Sequence, residues 1–131
     1  MVVAPDAGSA RRAGAYATRL GLPMAIGDKR RISDTEVEIQ SVVGDVIGKK
    51  VLIFDDEIAT GGSMLKLARY LAEECGVAEV YAGAAHGLLV GPALERLAQP
   101  PFQGTVVTDS LPLPAGAEAI HTGESVSRLF R

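Results

Sequence analysis

The chain has no tryptophan, one cysteine and few aromatics, 5% of its 131 residues. A single cysteine excludes an intrachain disulfide and suits a reducing compartment. Cys75 also lies on the apolar stripe of its helix, so it is read as a core residue. No apolar run approaches the ~20 residues that span a bilayer. The N-terminus has neither the basic nor the apolar region of a signal peptide. No membrane association and a cytoplasmic location are expected. Positive charge is not in excess either: a net charge of −3 and a pI near 5.3 argue against general affinity for nucleic acid. What is there is apolar, 47% of the residues. With so few rings, the core must come from Val, Leu, Ile and Ala, a composition that suits helices on a parallel sheet. The length predicts one domain, residues 1–131.

Short apolar runs alternate with helical periodicity. Val2 to Ala4, Leu22 to Ile26, Val51 to Asp55, Glu79 to Ala84 and Gly104 to Thr108 read as strands. Ser9 to Leu20 reads as a helix with Ala10, Ala13, Ala17 and Leu20 on one face. A second helix, 63–75, carries Met64, Leu67, Ala68, Leu71 and Cys75, and ends at Gly76. Pro92 at the first helical position opens a third, to about Ala98. Gly27 to Ile39 is densely charged and poor in apolar residues, which predicts a mobile loop at about 27–39. The order predicts an α/β domain with a doubly wound, mainly parallel sheet flanked by helices. In such sheets ligands bind beyond the C-terminal strand ends, where Asp6, Asp28, Asp55 and Asp56 fall.

The most informative stretch is 51–63, Val-Leu-Ile-Phe-Asp-Asp-Glu-Ile-Ala-Thr-Gly-Gly-Ser. A buried strand runs into two carboxylates, then a small-residue turn opens a helix. Backbone N–H groups at a helix N-terminus, together with its dipole, attract an anion. Thr60 and Ser63 add hydroxyl donors, and Gly61 and Gly62 admit a ligand close to the backbone. The carboxylates would repel that anion, so they suit hydroxyls or a metal ion. Phosphate and diol in one ligand make a sugar phosphate.

This string resembles the sugar-phosphate loop of the type I phosphoribosyltransferase fold, shared by phosphoribosyltransferases and phosphoribosyl pyrophosphate synthetases (ribose-phosphate pyrophosphokinases). Further segments resemble the synthetases. Val2 to Arg12, with Pro5-Asp6-Ala7-Gly8-Ser9, is similar to their pyrophosphate-binding loop. Asp28-Lys29-Arg30-Arg31 is similar to the root of their catalytic flexible loop. Val43-Gly44-Asp45-Val46, His86 to Ala93, Val106 to Pro112 and Gly123 to Phe130 follow in the same order. The match is to the C-terminal half of that family's protein.

The resemblance implies transfer of the diphosphoryl group of ATP to the 1-hydroxyl of ribose 5-phosphate, giving phosphoribosyl pyrophosphate and AMP. It implies Lys29 and Arg31 as catalytic cations. Asp55 and Asp56 would bind ribose hydroxyls, and Ala59, Thr60, Gly61, Gly62 and Ser63 the 5-phosphate. Asp6, Ala7, Gly8 and Ser9 would hold pyrophosphate, with Asp6 also helping to place Mg²⁺. His86 resembles a histidine at the same place in the family, and His121 is read as a surface residue. Ala59 stands where synthetases commonly carry Asp, and Ser9 where they carry glycine, a mild change only if its φ is negative. The family's N-terminal half is absent, so a homo-oligomer or association with an N-terminal synthetase half is expected. A strand and most of a helix are also missing between Leu113 and Gly123, so the sheet stands to lose its last strand. Two other functions fit the same residues: a small phosphoribosyltransferase using phosphoribosyl pyrophosphate, and a non-catalytic regulatory or assembly subunit of a synthetase.

Overall fold

The computed structural model describes residues 1–118 and 120–122. Seven strands form one sheet in the order β3-β2-β1-β4-β5-β6-β7. They are β1 (Val2–Ala4), β2 (Met24–Arg31), β3 (Val37–Val43), β4 (Lys50–Ile58), β5 (Glu79–Gly87), β6 (Phe102–Val107) and β7 (Ile120–Thr122). The helices are α1 (Ala10–Leu20), α2 (Gly62–Glu73) and α3 (Ala93–Leu97). All neighbouring strands are parallel except β2 and β3. This is the expected mainly parallel α/β architecture.

Side chains of a strand alternate between its faces, and here each face finds helices. Val3, Val51, Ile53, Val80 and Ala82 pack with Met64, Leu67, Ala68 and Leu71 of α2 and with Ala93 and Leu97 of α3. Val2, Ala4, Leu52, Phe54, Tyr81 and Val106 pack on the other face with Ala13 and Ala17 of α1. Tyr16 adds a tilted ring contact to Phe54, with centroids 4.1 Å apart. Burial of Ile53, Leu67 and Leu71 is complete or nearly so, worth roughly 1.5–3 kcal/mol per side chain. Cys75 is partly buried and packs against the α2-side core, while Leu20 is largely exposed.

From β1 the chain crosses to β2 on one side, and from β4 to β5 on the other. Strands β1 and β4 are neighbours, so their connections diverge and open a crevice at their C-terminal ends. Asp6 follows β1, and the Thr60–Ser63 turn follows β4.

Three expectations are corrected. Residues 27–39 form most of an antiparallel ribbon rather than a loop: Lys29 pairs with Ile39 and Arg31 with Val37, with an irregularity between Asp28 and Lys29. Charge does not oppose this, because a sheet-edge ribbon keeps its charged side chains in water and uses them to discourage edge pairing. Pro92 is the N-cap of α3 rather than its first residue, a one-residue shift of the kind usual at helix ends. The edge beyond β6 is not bare, because Ile120, His121 and Thr122 pair with Thr105, Val106 and Val107. The side chain of His121 and the 123–130 segment that resembles the synthetase tail lie outside the described residues.

Candidate functional site

A cleft of about 220 Å³ lies at the crevice, lined by Pro5, Lys29, Asp55 and the whole 57–64 turn into α2. Ala59, Thr60, Gly61, Gly62 and Ser63 therefore share one concavity with the carboxylates of Asp55 and Glu57 and the Lys29 ammonium. Gly61 caps α2 with φ +76, a left-handed conformation that glycine adopts at little cost. No side chain caps the helix start, so its first N–H groups are left to solvent or a ligand. The hydroxyl-bearing Thr60 and Ser63 are exposed.

Strand β4 continues to Ile58, paired with β5 through Asp55–Ala84 and Ile58–Gly87. The expected strand end at Asp55 is thus inside a strand, and alternation sends the two aspartates to opposite faces. Asp55 lines the cleft, and its Oδ1 accepts the Asp56 N–H at 2.8 Å. Asp56 instead meets Arg12 of α1 at 3.3 Å, both about half exposed. Glu57, next along the strand, also lines the cleft and was not singled out from the sequence.

Asp6 begins a single 3₁₀ turn, Ala7–Ser9, closed by a reciprocal cap. Its Oδ1 accepts the Ser9 N–H at 2.9 Å and the Ser9 hydroxyl at 3.1 Å. The Ser9 N–H is therefore committed within the turn, while Ala7 and Gly8 are exposed. Ser9 has φ −94, so the substitution for glycine brings no strain. The other oxygen, Oδ2, lies 2.7 Å from Lys29 Nζ. Partial burial works to raise the Asp6 pKa, but the hydrogen bonds from Lys29 and Ser9 and the lysine charge outweigh it. The net direction is below the usual carboxylate value. Once Lys29 leaves Oδ2, the ionised carboxylate could serve Mg²⁺, which needs one or two carboxylates plus substrate oxygens. Among the described residues no three His, Cys, Asp or Glu side chains cluster as a metal cage, so Asp6 would act as a single protein ligand.

Arg31 is exposed near the far end of the ribbon and does not line the cleft. His86 is exposed at the end of β5, its Nδ1 2.7 Å from Ser110 Oγ. Arg96 of α3 was passed over in the sequence. It donates from Nη1 to the Thr60 carbonyl at 3.1 Å, a contact made only by tertiary packing.

Residues 1–88 match the family described as Phosphoribosyl transferase domain. The chain is 43% identical to the ribose-phosphate pyrophosphokinase of Caldanaerobacter subterraneus subsp. tengcongensis, covering 99% of this chain and 46% of that protein. Their alignment runs to 148 positions against 131 residues here, so the relative carries extra residues within the matched span. The crystal structure of phosphoribosylpyrophosphate synthetase from Mycobacterium smegmatis superposes with a TM-score of 0.80 at 34% identity, over 98% of this chain and 41% of that one. Adenine phosphoribosyltransferase from Thermoanaerobacter pseudethanolicus shares the fold, with a TM-score of 0.59 at 17% identity, over 81% of this chain and 67% of that one. The chain thus spans about half the length of the curated relative it matches.

Proposed function

The chain belongs to the phosphoribosyl transferase domain family, and on that premise we propose that it is the ribose-5-phosphate-binding half of a ribose-phosphate diphosphokinase. The observation that carries the proposal is the shared cleft: a small-residue anion loop, Asp55 and Lys29 line one cavity. A sugar phosphate needs that combination, an anion site for the ester and an acceptor for the hydroxyls.

In the proposed reaction the 1-hydroxyl oxygen of ribose 5-phosphate attacks the β-phosphorus of ATP. The bond from that phosphorus to the α–β bridging oxygen breaks, AMP leaves with the oxygen, and the hydroxyl proton passes to solvent. Such transfers are promoted chiefly by positioning and by charge placed on the moving group. The N–H groups at Gly61 to Ser63 and the hydroxyls of Thr60 and Ser63 hold the 5-phosphate. Asp55 accepts from ribose hydroxyls inside the cleft, while Asp56, on the opposite face of β4, stays paired with Arg12. Lys29 then turns from Asp6 to the transferred phosphates, and Arg31 approaches as the ribbon bends inward. Ala7 and Gly8 offer N–H groups to the pyrophosphate. The Asp6 carboxylate would hold Mg²⁺, whose charge would help neutralise the phosphates.

The remaining ATP contacts belong, in this proposal, to a partner: another copy, or a synthetase N-terminal half. No described helix is long and apolar enough to cross a membrane, and a cytoplasmic setting is proposed from the lone Cys75 thiol.

Calorimetric titration with ribose 5-phosphate, with and without Mg²⁺, tests the reading. Asp55→Asn should weaken binding by tenfold or more, the usual scale of a hydrogen bond to a charged group. Asp56→Asn alone should cost less than about fivefold, because it first removes an exposed ion pair. A folded chain that binds no ribose 5-phosphate ends the proposal.

A further inference from the structure

An anion loop needs more than free N–H groups. Its carbonyl oxygens, which repel an anion, must face elsewhere. Here three successive ones are taken from behind by one segment. Ile58 O accepts from the Leu89 N–H at 3.0 Å and Ala59 O from the Val90 N–H at 2.8 Å. Thr60 O accepts from Arg96 Nη1 at 3.1 Å. The 89–96 segment thus matches the loop carbonyl for carbonyl.

Two local features serve this match. Leu89 has φ 55 and is the only non-glycine with positive φ among the described residues. A left-handed leucine is sterically disfavoured and persists where its surroundings over-determine it. Leu89 is buried in the α2-side core, and its N–H and that of Val90 land on adjacent loop carbonyls. The second feature is Gly62. A Cβ there would stand 3.1 Å from Arg96 Nη1 and 3.5 Å from its Cζ, so the glycine leaves the guanidinium room to lie close against the turn. Arg96 brings a permanent positive charge behind the turn, which favours an anion in front of it.

We propose that the 89–96 segment is a positioning clamp, with Arg96 its charged member, that turns the 58–60 carbonyls away and so readies the loop to bind a phosphate group. Arg96 is a positioning residue, acting through Thr60. The inference rests on the sugar-phosphate reading of the loop, and the test separates the two.

The full chain, labelled with ¹⁵N, is titrated with inorganic phosphate and with ribose 5-phosphate while the amides of Gly61, Gly62 and Ser63 are followed. Wild type, Arg96→Met and Arg96→Lys are compared. Wild-type amides should shift saturably. Arg96→Met should weaken both ligands about tenfold, and Arg96→Lys, still a charged donor, should recover most of that loss. A role for Arg96 in folding alone would lower thermal stability yet leave the folded molecules' affinity in place. Arg96→Met binding within twofold of wild type, with unchanged β4 and β5 amides, overturns the clamp and leaves the site reading standing. If the methionine variant does not fold, Arg96→Gln is held to the same twofold limit. No phosphate-induced shift in wild type overturns the site reading and the clamp with it.

Discussion

Gly27 offers a sharp test of how the crevice is built. It is buried in β2 just past the pairing of Ala4 with Ile26. A Cβ there would lie 2.8 Å from the Pro5 carbonyl oxygen and 3.4 Å from both Ala4 O and Leu67 Cδ1. Two effects of Gly27→Ala oppose one another. Alanine is less flexible than glycine in the unfolded chain, which favours the folded state by about 0.5–1 kcal/mol. The contact at 2.8 Å is to backbone, so β1 and β2 must move apart; overpacking of this kind costs about 1–3 kcal/mol. The clash should win, for a net loss of about 1–2 kcal/mol and a fall of about 3–8 °C in Tm. The carbonyl that moves belongs to the residue before Asp6, so the Asp6–Lys29 pair should loosen as well. Denaturant unfolding measures the first effect, and the carboxyl chemical shift of Asp6 reports the second. A variant as stable as wild type, with Asp6 unmoved, would refute the close approach of β1 and β2.

Two further outcomes follow from side-chain environments. Asp6 should titrate below 3.8, the ordinary value for an aspartate, and carboxyl NMR in Lys29→Met should show it moved upward. Because the folded value is the depressed one, the pair's stabilisation is fully present above 3.8 and disappears as pH falls through the folded pKa. An Asp6 that titrates identically in both proteins would mean that the 2.7 Å contact does not persist in solution. Partial burial and the neighbouring Glu74 raise the Cys75 pKa, and the thiolate is the reactive form. Alkylation by iodoacetamide at pH 8 should accordingly be slower than that of free cysteine, and a faster rate would contradict the placement of Cys75 against the core.

Local pattern was sufficient where one short segment contains the whole cause. The turn into α2 is such a case, since strand, glycines and helix start are contiguous from Val51 to Ser63, and the structure gathers Ala59 to Ser63 in one cleft. The β2–β3 ribbon was not legible, because charged residues such as Lys29 and Arg31 satisfy a solvated loop and a solvated sheet edge equally well. The apolar contacts of β3 to the α2-side core, from Ile39 and Val42, become a signal only once α2 is in place.

The split of Asp55 from Asp56 was within reach of the sequence but turned on one boundary. If β4 stops at Asp55, both carboxylates sit on a free end and can turn to one ligand. If it runs to Ile58, period-two alternation separates them, and the pairing of β4 with β5 as far as Gly87 selects the second case. Arg96 lay beyond sequence reasoning for a different reason. Its partner, the Thr60 carbonyl, is 36 residues away, and a lone arginine on a five-residue helix looks like any solvated cation. What marks it is the absence of a side chain at Gly62, which reads in the sequence as freedom for the ligand. In the structure the same absence leaves a guanidinium room to lie close against the turn. A Cβ at this second glycine of the turn would stand 3.1 Å from Arg96 Nη1, so a substitution there would press on Arg96 whatever the cleft holds.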